Sequence, residues 1–452
     1  MPGVPVGHRA RMDRPLRVAV VGAGPAGIYA AEALAGQDEV PVAVDLLDRL
    51  PTPFGLVRHG IAPDHLKMRA LADTLRHTLD HPSVRFVGDV EVGRDLSVAD
   101  LRAHADAVVF THGASGARRL GIEGEDLPGS LAATDVVAWY TGHPDADRAR
   151  VEQAVARARD VVVVGVGNVA LDVARVLARG PAELETTDMP QHVLDALATA
   201  PVERITLLGR RGPAQASFTT QELRELGHLS AAVALTDPEG LDEESEVRAV
   251  ARNLATLREF AEHVPEPGKA TVRLRFFARP VRLTGRDRVT GVVVERVAVD
   301  PADRLTSTRE TEELAADLVV AAVGYAGQDL PGLPVSGGVV PNEGGRVLRD
   351  GAPSPGEYVA GWIKRGPSGV VGTNKHDARE TVAALLADAP TLPRVEGPDL
   401  VETLRARGCR PVLLENWRSI DEAEHALGAE RGRARTTIHE REALRTAARV
   451  QR

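Results

Sequence analysis

The chain has 452 residues, of which 43 % are apolar, 26 % charged and only 3 % aromatic. Such a mix belongs to a globular chain of several domains with a core of Val, Leu and Ala, not to a disordered or fibrous one. A single cysteine, Cys409, excludes an internal disulfide, a dithiol redox pair and any cysteine-held metal site, and no metal is expected; the net charge of −9 argues against general nucleic-acid binding.

No apolar run approaches the roughly 18 residues of a membrane span. The stretch before Arg17 lacks the apolar core of a secretory signal, and Met12 is an alternative start. A cytoplasmic protein is expected. Only four lysines, Lys67, Lys269, Lys364 and Lys375, stand among 55 basic residues.

From Arg17 the chain reads RVAVVGAGPAGIYAAEAL, and from Asp160 DVVVVGVGNVALDVARVL. Each is a β-branched run, closely spaced glycines, then an Ala-rich stretch of helical period, so each predicts strand, turn and helix. In the first, Gly22, Gly24 and Gly27, with Ala26 between them, fit G-x-G-x-x-G, where backbone N–H groups and the helix N-terminus meet a pyrophosphate. Asp48 at the end of the next strand, Val42–Asp48, is expected to bind a ribose hydroxyl in preference to Asp45. The second turn is Gly165-Val-Gly-Asn168-Val169-Ala170-Leu171, and its following strand, Arg204–Gly209, ends in Arg210 and Arg211 instead of an acid. Paired guanidinium groups suit a 2′-phosphate, so this turn is expected to take NADP. Two dinucleotide sites in one chain point to hydride passing between a nicotinamide and a flavin.

Further along, Gln191–Ala198 and Asp242–His263 read as helices. Thr271–Leu283 and Val289–Val299 read as a β-hairpin or meander with Gly285-Arg-Asp-Arg between them. Asp106–Gly113 and Asp317–Gly324 are buried strands that end in glycine. Residues 390–452 are helical, with a packing role only.

Four segments are more specific: Leu50-Pro-Thr-Pro-Phe-Gly-Leu-Val-Arg-His-Gly-Ile-Ala-Pro-Asp-His65, Gly121-Ile-Glu-Gly-Glu-Asp-Leu-Pro-Gly129, Gly209-Arg-Arg-Gly-Pro with Phe218-Thr-Thr-Gln-Glu-Leu-Arg-Glu225, and Gly361-Trp-Ile-Lys-Arg-Gly-Pro-Ser-Gly-Val-Val-Gly-Thr-Asn-Lys375. In this order they resemble the NADPH–ferredoxin reductases of the adrenodoxin-reductase type, and the tail looks like that of actinobacterial members. The resemblance implies an α/β fold of two Rossmann-like domains. An NADP domain (116–321) would be inserted into a discontinuous FAD domain (1–115 and 322–452).

It also implies site residues. Leu56, Val90, Trp362, Gly369, Val370 and Val371 would contact FAD. Arg118, Asn168, Val169, Ala170, Leu171 and Glu222 would hold NADP. His65 and Glu225 would relay protons at the nicotinamide–flavin junction. The implied activity is electron transfer from NADPH through FAD to a one-electron iron–sulfur carrier such as ferredoxin. Lys67, Lys364 and Lys375 would form a basic rim that steers such an acidic partner. The alternatives are another NADPH flavoprotein, such as a monooxygenase, or a catalytically idle NADPH-binding module. His112 occupies a place usually apolar or small in such strands, and the sequence alone gives it no role.

Overall fold

The computed structural model describes residues 14–300, 302, 304–369 and 371–450. The alternative start at Met12 and the expected flavin contact Val370 lie outside the described residues. Two open sheets organise the chain, and their strands alternate with helices as the two repeated sequence patterns require.

The first segment supplies β1 (Leu16–Val21), β2 (Val42–Leu47), β3 (Val84–Val87) and β4 (Ala107–Phe110). These are apolar and covered on both faces, the condition under which parallel strands are found. The chain then leaves through β5 (Gly116–Ala117) and builds β6 (Ser130–Ala132), β7 (Asp160–Val164), β8 (Arg204–Leu208), β9 (Ala232–Thr236) and β10 (Ala270–Arg275). Next come β11 (Ala278–Thr284), β12 (Gly291–Val299), β13 (Leu305–Ala315) and β14 (Leu318–Ala321). It returns through β15 (Tyr325–Ala326) to β16 (Asn342–Glu343), β17 (Arg346–Arg349) and β18 (Ala352–Val359).

One seven-stranded sheet has the order β16-β17-β18-β4-β1-β2-β3, so the last strands of the chain complete the sheet begun by the first. The parallel six-stranded sheet β6-β14-β7-β8-β10-β9 is inserted between them, as is the antiparallel sheet β11-β12-β13. Both crossings lie side by side, because β5 and β15 pair antiparallel, Tyr325 with Ala117 and Ala326 with Gly116. This is the two-unit α/β architecture expected.

Two readings need correction. Thr271–Leu283 is not one hairpin strand. Its first half, β10, enters the parallel sheet between β8 and β9, and the chain breaks at Phe277 (φ 53°) before β11 starts the antiparallel sheet. Alternation alone does not distinguish one strand from two joined at a left-handed residue. The helix expected over Asp242–His263 begins only at Arg248. The run Asp242-Glu-Glu-Ser-Glu246 concentrates like charge, and Ser245 Oγ accepts the Val247 N–H (3.2 Å), a local bond that competes with helix.

The tail does more than pack. From the helix Leu414–Ala429, the fully buried Glu424 pairs with Arg58 of the short helix Leu56–His59 and with Arg435. Thr437 N–H donates to Asp188 O (2.9 Å) in the inserted unit, so the tail touches both units.

Candidate functional site

The first turn is tight for a physical reason. Gly22 has φ 110°, and a Cβ there would come 2.7 Å from Thr111 O. A Cβ on Gly27 would come 1.8 Å from Gly22 O, so only glycine lets the helix Pro25–Ala35 meet the strand end. Gly24 is the N-cap, with no side chain over the first N–H groups. Ala26 is buried against Gly361, and Gly55 lies close over Gly24.

Asp48 stands at this turn. Its Oδ2 accepts the Ala23 N–H (2.8 Å) and its Oδ1 the Leu50 N–H (2.9 Å), while burial pushes its pKa up. The carboxylate therefore shapes the glycine loop directly. Asp45 instead binds Arg85 on β3 (2.6 Å). Val90 is buried, and its N–H donates to Asp48 O (2.9 Å). Leu56 opens the helix that follows Gly55.

Trp362 follows Gly361 (φ 79°), and its Nε1 is buried without a protein partner. Gly369 (φ 83°) precedes the helix Val371–Asp388, which starts in the segment expected to close over the flavin. An orphaned indole N–H and a glycine-lined strand end are features that fit a flavin dinucleotide.

The second turn repeats the first. Gly165 has φ 131°, and a Cβ there would lie 2.4 Å from Ala322 O. Gly167 caps the helix Asn168–Ala178. Asn168 Oδ1 accepts the Thr219 N–H (2.8 Å), Val169 is half-buried, and Ala170 and Leu171 are buried in the core. The side chains of Ala170 and Leu171 thus serve packing, and only their backbone can face a phosphate. Arg210 is exposed just past β8 with Arg211 beside it, and Arg118 is exposed with its Nε on Tyr325 O (3.1 Å).

An ionic cluster joins the units. His65, from the first unit, brings Nε2 to 2.9 Å from Asp172 Oδ1 and 2.8 Å from Glu222 Oε2, both in the inserted unit. Arg175 is fully buried at the centre, 2.6 Å from Asp64 Oδ2, 2.7 Å from Asp172 Oδ1 and 3.1 Å from Glu222 Oε2. Burial opposes a charged imidazole, and the Arg175 guanidinium crowds the same nitrogen. The two carboxylates outweigh both and hold the His65 pKa up to about 9. The three acceptor groups could also surround a cation, but Arg175 already supplies that charge.

The expected partnership of His65 with Glu225 is not the one found. Glu225 lies about one turn beyond Glu222 and faces Arg179 Nη2 at 3.6 Å, so Glu222 and Asp172 are the carboxylates beside the imidazole. Sequence reasoning missed Asp172, Arg175 and Tyr325. The first two stand at i and i+3 on the helix after the second glycine turn, one face of that helix. Tyr325, just past the crossing, stacks obliquely on Trp362 with ring centroids 5.3 Å apart; burial and nearby Asp172 push its pKa up to about 12.

The basic rim is also corrected. Lys364 is only 9 % exposed, 2.9 Å from Asp377 and 2.7 Å from Glu380, and Lys375 pairs with Glu32 (2.9 Å). Both charges are compensated locally, which leaves Lys67 as the exposed lysine of the three, between exposed Leu66 and Met68. No helix among the described residues is long and apolar enough to cross a membrane.

A family model described as pyridine nucleotide-disulphide oxidoreductase matches residues 16–206. NADPH-ferredoxin reductase FprA of Mycobacterium tuberculosis is 41 % identical over 450 residues, covering 94 % of this chain and 97 % of the relative. The mitochondrial NADPH:adrenodoxin oxidoreductase of Arabidopsis thaliana is 36 % identical over 456 residues, covering 94 % of each. The solved structure of Mycobacterium tuberculosis FprA in complex with NADPH superposes with TM-score 0.90 at 39 % identity, over 96 % of this chain and 100 % of that one. With two glycine turns, a buried ionic junction between the units, and likeness over almost the whole of these relatives, the chain belongs to the NADPH–ferredoxin reductase family of the FprA and adrenodoxin-reductase type.

Proposed function

We propose that the protein passes electrons from NADPH, through a bound FAD, to a one-electron iron–sulfur carrier of the ferredoxin kind, in the cytoplasm. Residues 1–115 and 322–452 form the FAD unit and 116–321 the NADP unit. When bound, FAD would accept the two electrons of a hydride and release them singly. The single observation that carries the reading is His65, which crosses from one unit to Asp172 and Glu222 of the other, on the helix after the second glycine turn and the helix that follows Arg210 and Arg211.

The residues divide the work. Gly22, Gly24, Ala26, Gly27 and Asp48 seat the FAD pyrophosphate and ribose. Leu56, Val90, Trp362 and the Gly369–Val371 stretch enclose the rest of that cofactor. Asn168 to Leu171 and Arg118 hold the NADP phosphates, Arg210 and Arg211 select the 2′-phosphate, and Glu222 borders the nicotinamide end. His65 Nε2 holds a proton between two carboxylates at neutral pH and would pass it on to solvent, taking up in its place the proton that the junction gives up as electrons leave for the carrier. Glu225, paired with Arg179, supports this relay from one turn away. Lys67, flanked by exposed Leu66 and Met68, offers the acidic carrier a charge and an apolar contact beside His65.

Purified protein should be yellow, bleach anaerobically with NADPH far faster than with NADH, and reduce cytochrome c only when a ferredoxin is added. A colourless protein, or one left oxidised by excess NADPH, overturns the proposal.

A further inference from the structure

His112 lies two residues past the C-terminal end of β4, the strand next to β1. In open parallel sheets, ligands sit outside the C-terminal ends of the strands, which is where this residue stands. Its backbone closes on the first glycine of the fingerprint, and a Cβ on Gly22 would come within 2.9 Å of both His112 N and His112 Cα. Its neighbour Thr111 is already spent on the same turn, with Oγ1 donating to Val21 O and Gly22 O at 2.9 Å each.

The ring of His112 is in a different position. Both Nδ1 and Nε2 are buried and neither makes a hydrogen bond of good geometry; the Gln328 backbone is the one group near enough to interact weakly with the ring. Burial pulls its pKa down to about 4, only partly offset by the Gln328 backbone, so the ring is neutral at pH 7 and carries one donor and one acceptor. His59 is also buried with both ring nitrogens bare, but it lies edge-on against the His143 ring, 4.9 Å between centroids. Elsewhere a ring nitrogen is paired: His104 bonds Asp100 O and Thr403 Oγ1, and His263 bonds Ala234 O. More than nine in ten buried polar groups find a partner, and a ring left bare beside the fingerprint turn points to a polar partner supplied by a ligand.

We propose that His112 is a hydrogen-bonding residue for the dinucleotide seated on Gly22–Gly27, its imidazole nitrogens engaging oxygens of that ligand. The inference rests on the reading that FAD occupies this turn. It assigns a specific contact to a residue for which the glycine fingerprint has no place.

The test titrates flavin-free full-length protein with FAD, following flavin fluorescence, and records melting temperatures with and without FAD. His112→Leu removes both ring nitrogens, and His112→Gln keeps a donor and an acceptor. H112L should weaken FAD binding roughly tenfold to hundredfold, the range for one buried hydrogen bond lost, while H112Q stays within about threefold of the native chain. The melting temperature of H112L should be unchanged or higher without FAD, because a bare polar ring is gone, and lower with FAD. H112L that binds FAD as tightly as the native chain overturns the inference alone, as does an equal drop in melting temperature in both forms. A native chain that takes up no FAD overturns the proposed function together with this inference.

Discussion

Arg175 Nε and Asp64 Oδ2, 2.6 Å apart, form an ion pair across the boundary between the two units. Arg175 also neutralises Asp172 and Glu222, and it has no exposed surface. Arg175→Met would leave three carboxylates facing one another around His65. Removing one partner of a buried ion pair costs about 3–5 kcal/mol. R175M should therefore lower unfolding stability by that order, measured by denaturant titration, and a loss below about 1 kcal/mol would contradict the central role given to the guanidinium.

His65 sets a pH window. Its folded pKa, about 9, lies above the ordinary 6.5, so its protonated form is preferentially bound in the folded protein. The stabilisation is complete below about pH 6.5 and is lost as pH rises through 9, on the order of 3 kcal/mol at 1.36 kcal/mol per pKa unit. Stability should fall between pH 7 and 10 in the native chain and fall less in His65→Gln. In NMR titrations the His65 ring should change charge near pH 9, and Asp172→Asn should move that midpoint down.

Arg210→Ala combined with Arg211→Ala should remove the preference for the phosphorylated nucleotide. Each charged hydrogen bond lost is worth about 1.5–3 kcal/mol, a tenfold or larger fall in kcat/KM for NADPH. NADH turnover should change little. A parallel fall with both nucleotides would mean that the arginines shape the fold and do not read the phosphate.

Lys67 and Lys364 separate docking from structure. Lys67→Glu should raise the KM for an acidic iron–sulfur carrier severalfold, flatten the dependence of rate on salt and leave the KM for NADPH unchanged. Lys364→Glu places a third acid beside Asp377 and Glu380, so its main effect should be a lower melting temperature. Equal shifts in both KM values for K67E would rule out docking at this point.

The parts legible in the sequence were those set by local rules. Gly22 and Gly165 read as turns because a side chain cannot fit there, and β1 and β7 read as strands because both of their faces are buried. The inserted unit was legible from two segments that each end in glycine. What failed depended on distance in space. Lys364 looked like a surface charge until the helix Val371–Asp388 folded Asp377 against it. Glu225 and Glu222 differ by three positions, and only the packing of their helix decides which one meets His65. Asp172 and Arg175 look like ordinary polar positions on a surface helix, since the partner that buries them is more than a hundred residues away.

The narrow ribbon of Ala117 and Tyr325 has an evolutionary consequence. Because the chain departs and returns through one antiparallel ribbon, everything between is spliced in at a single seam. Any unit exchanged at that seam would still have to supply the partners of Asp64, His65 and Thr437, so the seam fixes where the chain crosses and the ionic cluster fixes what may be spliced in.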